Sequence, residues 1–217
     1  MSTSVLYMSV SLDGYVSTPD DYLGGEDGER LHKWFERTDD AGEEAAAVKA
    51  LVAELGAVGA VLTGRRTAEL MDHWGGDLHG APIFVPSHRP PGPAARYGYP
   101  KVTYVTDGIE AAMAQAKAAA GDKNVYVQGG YTGQQALVAG VLDQIQVHLV
   151  PVLLGGGHRL FDVLPNEIEL EVVRVIDTPD ATHIRYQVTG ASRTTAGHQS
   201  PAQPGEAEQD ERQADRL

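Results

Sequence analysis

The sequence predicts an α/β fold: a mixed, mostly parallel sheet with one antiparallel edge, flanked by helices. Two patterns point to it. From Val5 to Gly140, short apolar strand-like runs alternate with helix-like runs, and a helical crossover between strands implies parallel pairing. After Gly140, three strand-like runs follow one another without a helix, which implies antiparallel pairing at an edge. A length of 217 residues with 42% hydrophobic content suits one domain with a real core plus an extension. The expected boundary puts the folded domain at residues 1–190 and an acidic, polar tail at 191–217, too poor in large apolar residues to order itself.

Val5 to Val10 is the first strand. Ser11 to about Ala41 reads as a polar, Gly/Asp/Glu-rich lid, with Leu31, Trp34 and Phe35 giving one inward turn of helix. Glu43 to Leu55 is the clearest helix, because Val48, Leu51, Val52 and Leu55 make one stripe and Gly56 stops it. Val58 to Leu62 is a buried strand, followed by a helix capped by Thr67 with Leu70, Met71 and Trp74 inward. Pro82 to Pro86 and Val102 to Val105 are strands, separated by a Pro-rich loop. Asp107 with Glu110 forms a capping box, and Gly121 ends that helix. Val125 to Val127 leads through Gly129-Gly130 into a helix capped by Thr132 with Gln135, ending at Gly140. Ile145 to Val150 alternates as a half-buried or near-edge strand, which puts His148 on a surface or interface. Ile168 to Ile176 alternates with a bulge at Val172-Val173. Thr182 to Val188 puts Ile184, Tyr186 and Val188 on one face and His183, Arg185 and Gln187 on the other.

The formal net charge of −13 and a pI near 4.9 disfavour nucleic acid or an anionic membrane as the main partner, since both need a basic face. The absence of cysteine excludes disulfides, zinc thiolates and thiol nucleophiles. The first residues resemble no signal peptide and no stretch is long enough to span a bilayer, so the chain reads as soluble and cytoplasmic.

Three loops follow parallel strands at their carboxyl ends, where open α/β sheets bind ligands. One holds Thr63, Arg65, Arg66 and Thr67, the second Ser87, His88 and Arg89, and the third the Gly129-Gly130 pair at a helix start. Arginines and hydroxyls beside a helix N-terminus suit phosphate, because guanidinium binds it in two-pronged fashion and the helix dipole favours anions. Two such sites suit NADPH: one for pyrophosphate, one for the 2′-phosphate. The Rossmann and P-loop fingerprints are absent. His73, Asp77 and His79 match no standard metal-ligand spacing, so no metal is expected and a metal-dependent hydrolase is the weakest reading.

SLDGY (Ser11 to Tyr15), LTGRRTAELM (Leu62 to Met71), QGGYTGQQALVAGVLDQIQVHLVPVLLGGGHRLF (Gln128 to Phe161) and the hairpin-like end from Ile168 to Val188 together resemble the dihydrofolate reductase-like superfamily. The resemblance is to the branch containing the C-terminal reductase domain of the bifunctional riboflavin-biosynthesis deaminase-reductase. It implies an NADPH-dependent reductase of a small heterocyclic or sugar-type substrate, working as a homodimer paired through late strands. A non-catalytic NADPH-binding protein that has lost the substrate site is the alternative. It implies cofactor contacts from Thr63, Gly64, Arg65, Arg66 and Thr67 at the diphosphate, from Ser87, His88 and Arg89 at the 2′-phosphate, and from Gly129, Gly130, Tyr131 and Thr132 under the pyrophosphate, with Thr106 and Gln128 beside them. Ser11, Asp13 and Gly14 fall where the lid meets nicotinamide and substrate, with Asp13 or an ordered water as proton donor. Gln128 stands where riboflavin reductases commonly carry Glu. Glu43 and Glu44 sit at the start of the first long helix, not on an inward face where a pterin-holding carboxylate belongs.

Overall fold

The computed structural model describes residues 2–19, 25–39, 42–89, 98–162 and 164–191. The Pro-rich segment 90–97 and the predicted tail, apart from Ala191, lie outside the described residues.

The described residues form ten strands in chain order: β1 (Ser4–Ser11), β2 (Tyr15–Ser17), β3 (Ala60–Thr63), β4 (Ile83–Pro86), β5 (Val102–Val105), β6 (Val125–Gln128), β7 (Gln144–Val150), β8 (His158–Arg159), β9 (Ile168–Thr178) and β10 (Ala181–Ala191). Among the described residues, five α-helices accompany them: α1 (Gly25–His32), α2 (Glu43–Gly56), α3 (Arg65–Leu70), α4 (Ile109–Ala120) and α5 (Gly130–Val138). Eight strands make one sheet in the order β5-β4-β3-β6-β1-β7-β10-β9. Pairing is parallel from β5 to β7, then antiparallel through β10 and β9, as the helix-then-hairpin pattern predicts. Strands β2 and β8 pair separately over one end.

One sheet face packs Leu6, Leu62, Val125, Val127 and Ile145 under α4 and α5 through Ala112, Met113, Ala116, Ala136 and Leu137. The other face is covered in part by α2, whose Val48 and Leu51 join Leu31, Trp34 and Val150. Near-complete apolar burial on both faces explains why β1 and β3 read as continuous hydrophobic runs. The bulge expected at Val172-Val173 is present: Arg174 pairs with Arg185 and Val172 with Tyr186, leaving Val173 unpaired.

Several local expectations are corrected. The helical turn expected at Leu31, Trp34 and Phe35 is present, and the lid carries more order than that one turn: β2, α1 and a 3-10 segment, Lys33–Asp39, lie within it. α3, α4 and α5 start at Gly64, Gly108 and Gly129, not at Thr67, Asp107 and Thr132, and no side chain caps them. The backbone turns at a glycine where each strand ends, which puts Thr67 and Thr132 inside the first turn. α3 stops after six residues, so Leu70 (57% exposed) and Met71 (40% exposed) face outward and Ala68 is its buried position. β7 is an interior strand between β1 and β10, so His148 is buried at 1% exposure rather than on a surface.

Candidate active site

A cavity of about 980 Å³ opens at the carboxyl ends of the parallel strands. That is large enough for a dinucleotide with a small second ligand. Its rim is the set of loops the sequence singles out: Gly64, Arg65, Arg66 and Thr67; Ser87, His88 and Arg89; Thr106; and Gln128, Gly129, Gly130, Tyr131 and Thr132 all line it.

The rim is built by two strand-to-helix corners pressed together. A Cβ placed on Gly64 would stand 2.6 Å from Thr132 Oγ1, so only glycine lets the β3–α3 corner approach the first turn of α5. Gly129 has φ +92°, and a Cβ there would lie 3.3 Å from Thr67 Oγ1. Each corner's threonine thus packs against the other corner's glycine. Intrahelical bonding starts at Ala68 N–H to Gly64 and Gly133 N–H to Gly129, so the preceding amides of each helix are free of intrahelical acceptors. The cationic loops are fixed in turn. Arg65 donates to Glu69 at 2.8 Å and to Ser87 Oγ at 3.4 Å, and its guanidinium lies 5.7 Å from the Tyr104 ring. Ser87 Oγ donates to the Arg89 carbonyl and accepts from the Arg89 N–H, curling that loop upon itself.

Four predicted residues do not line the cavity: Thr63, Ser11, Asp13 and Gly14. Thr63 is fully buried beneath the corner. Asp13 accepts from the Ser11 hydroxyl at 2.6 Å, from Leu154 N–H at 3.1 Å and from Gly155 N–H at 2.7 Å. The Ser11 bond foremost, then those two amides, hold its carboxyl down to about 2. Asp13 is an ionised acceptor that ties the SLDG turn to the loop after β7, a poor starting point for a proton donor. Arg159 closes the same clamp through the Asp13 carbonyl and Tyr15, and does line the cavity.

The cavity floor was not legible in the motifs. Tyr7, Met8 and Ser9 of β1, Tyr126 of β6, His148 of β7, and His32 and Phe35 from the lid line it. Trp34 stacks on His148 at 4.1 Å and donates its indole N–H to Ser9 Oγ at 3.0 Å. The periodicity of β7 indicates that His148 shares a face with Gln146, but not that the lid covers that face. Two buried atoms of cavity-lining residues, Gln128 Oε1 and His148 Nε2, have no hydrogen-bond partner among the described residues.

The His73, Asp77 and His79 set is dispersed: His73 Nε2 bonds Tyr104 OH, Asp77 pairs with Lys101, and His79 is exposed. No group of three metal-ligating side chains occurs among the described residues, and none of their helices is long and apolar enough to cross a membrane.

The family model of the RibD C-terminal domain matches residues 3–184. No curated protein matches the sequence. Among solved structures, the chain is similar to a putative riboflavin biosynthesis protein from Shewanella sp. PV-4 (23% identity, TM-score 0.67, covering 87% of this chain and 99% of that one). It is also similar to a pyrimidine reductase-like protein from Corynebacterium diphtheriae (15% identity, TM-score 0.57, covering 86% and 92%). A third is a bifunctional diaminohydroxyphosphoribosylaminopyrimidine deaminase/5-amino-6-(5-phosphoribosylamino)uracil reductase from Thermotoga maritima (12% identity, TM-score 0.55), where the match covers 86% of this chain and 56% of that one. At these identities the neighbours speak for the fold. The chain belongs to the RibD C-terminal domain family, and a reductase role is the one the family supports.

Proposed function

We propose that this RibD C-terminal domain is an NADPH-dependent reductase acting on a small heterocyclic or sugar-type substrate. The observation that carries the reading is the interlocked pair of corners at Gly64 and Gly129, set with Arg65, Arg66 and Arg89 around one cavity. The amides of the first turn of α5, together with the Arg66 loop, fit a diphosphate, and Ser87, His88 and Arg89 fit a 2′-phosphate. When bound, the cofactor supplies the hydride. The protein's part is to orient, to exclude water and to present polar groups. Residues 25–39 roof the floor through Trp34 and Phe35, which suits water exclusion. With Asp13 held as an acceptor, water is the proton source we favour. Fluorescence titration with NADPH and NADH tests this reading; equally weak binding of the two would remove the 2′-phosphate argument.

We further propose that two copies pair through the β9 edge. β9 is the outer strand of the sheet, and its Leu170, Val172, Val173 and Val175 are exposed large apolar side chains, a patch that an edge strand in a monomer normally avoids. Light scattering of Val172→Lys should show a monomer if this is the interface; an unchanged dimer would place it elsewhere.

A further inference from the structure

At the floor of the cavity, His148 belongs to a short chain of hydrogen bonds whose directions can be worked out atom by atom. The Thr178 hydroxyl lies 2.7 Å from the Ala181 carbonyl, which can only accept, so the hydroxyl donates there. Thr178 Oγ1 then offers a lone pair to His183 Nε2 at 3.1 Å, which makes that nitrogen the protonated one. A neutral His183 therefore has a bare Nδ1. The Nδ1 atoms of the two histidines are 2.6 Å apart, so His148 must supply the proton between them. This leaves His148 Nε2 as a bare acceptor on a cavity-lining residue, with no partner among the described residues.

The surroundings keep both rings neutral. His148 and His183 are each 1% exposed. Burial, then the neighbouring His183, Arg185, His32 and Arg174, pushes His148 well below the usual histidine range. Burial and Arg174 bring His183 to about 4, opposed by Asp177. Trp34 and Tyr7 pack on the His148 ring and present no carboxylate to it.

We infer that His148 is a specificity-determining residue of the substrate half of the cavity: its Nε2 accepts a hydrogen bond from an uncharged N–H or O–H group of the substrate, with the tautomer held by His183 and Thr178. A buried acceptor without a partner is costly, and a ligand donor removes that cost. A phosphate or carboxylate brings only more lone pairs to this position, so the floor rejects what the rim is suited to hold. His183 and Thr178 act through His148 and are positioning residues.

The inference rests on reading the cavity as a cofactor-and-substrate site, and its test separates the two. Long-range 1H–15N correlation spectra of the full chain with 15N-labelled histidine, from about pH 5.5 to about pH 8, read the tautomers directly. We expect His148 protonated at Nδ1 and bare at Nε2 throughout, and His183 protonated at Nε2. A cationic or Nε2-protonated His148 overturns the proposal. Thr178→Val should disturb both tautomers; unmoved signals overturn the lock. With NADPH present, uracil against 1,3-dimethyluracil, and 2-pyridone against its N-methyl derivative, probe the floor. The N–H member of at least one pair should bind about tenfold tighter, the preference vanishing in His148→Phe and surviving in His148→Gln. No preference in either pair, or a preference that persists in His148→Phe, overturns it. NADPH affinity in His148→Phe should stay within about twofold. Failure of the wild-type chain to bind NADPH would defeat the reductase reading while leaving the histidine spectra to stand or fall alone.

Discussion

The rim and the floor of the cavity are made in different ways and suit opposite chemistry. The rim is backbone and cations: two glycine corners, helix starts and the Arg66 and Arg89 loops, on a chain whose net charge is −13. It gathers Arg65, Arg66 and Arg89 at one cavity of a chain that is acidic overall, and those arginines favour an anion there. The floor is side chains from three strands and the lid, with His148 held neutral by burial under an aromatic roof. Contiguous loops position phosphate-binding groups cheaply, because neighbours in sequence share one turn. Discrimination at the floor needs groups locked by packing, and those come from distant parts of the chain.

The sharpest way to break the rim is through its tight approach. Gly64→Ala forces a methyl group toward buried Thr132, with the backbone itself undisturbed at φ −66°. Overpacking of this kind costs roughly 1–3 kcal/mol, and it should abolish measurable NADPH binding if the corners must touch. Adding Thr132→Ala removes the clashing hydroxyl, so the double variant should recover stability and affinity, with a coupling of about 1 kcal/mol or more. Independent, additive losses would show that the corners are not one unit.

Arg89→Ala should cost NADPH affinity by roughly 1.5–3 kcal/mol and leave NADH unchanged, if a charged hydrogen bond to the 2′-phosphate is lost. Parallel titrations read the difference. Equal losses for both cofactors would move Arg89 from selectivity to general phosphate attraction.

The histidines at and behind the floor have a pH signature. His183 is depressed to about 4, and His148 is depressed too, so the unfolded chain binds protons that the folded chain refuses. Stability is then full above about pH 6.5 and falls as pH drops toward about 4, the sign expected for a histidine buried neutral. Thermal unfolding across that window should show the loss, and His183→Asn should flatten it. A flat wild-type profile would mean that the pair is already hydrated or charged.

The same contrast explains what the sequence disclosed. Gly-Arg-Arg-Thr, Ser-His-Arg and Gln-Gly-Gly-Tyr-Thr are each contiguous, so their residue types and order already describe the rim. The floor is assembled by register: His148 lies opposite Ser9 on one side and His183 on the other, across separations of 139 and 35 residues read from their numbers. Alternation along β7 gives the face of His148 but not what covers it. Helix starts differ from the local capping pattern for a related reason. Threonine and aspartate favour caps locally, yet the glycines at Gly64, Gly108 and Gly129 take that place. The bulge at Val173 and the stripe of α2 were legible because each is written within one element.

Asp13 lies outside the cavity lining, in the clamp between the SLDG turn and the loop after β7, and its replacement should have the smallest effect. In Asp13→Asn one oxygen becomes an amide that cannot accept, so either Gly155 N–H or the Ser11 and Leu154 donors lose a partner. The clamp between the SLDG turn and the loop after β7 loosens, and substrate KM should rise with little change in NADPH affinity. If this carboxylate serves only as an acceptor, as proposed, kcat should fall by less than about tenfold. Its carboxyl is depressed from 3.8 to about 2, so its contribution is present above about pH 4 and lost as pH falls toward about 2. That acid component should be missing in Asp13→Asn. A collapse of kcat by about a thousandfold, with KM unchanged, would restore Asp13 as the acid and put the proton path back at the turn.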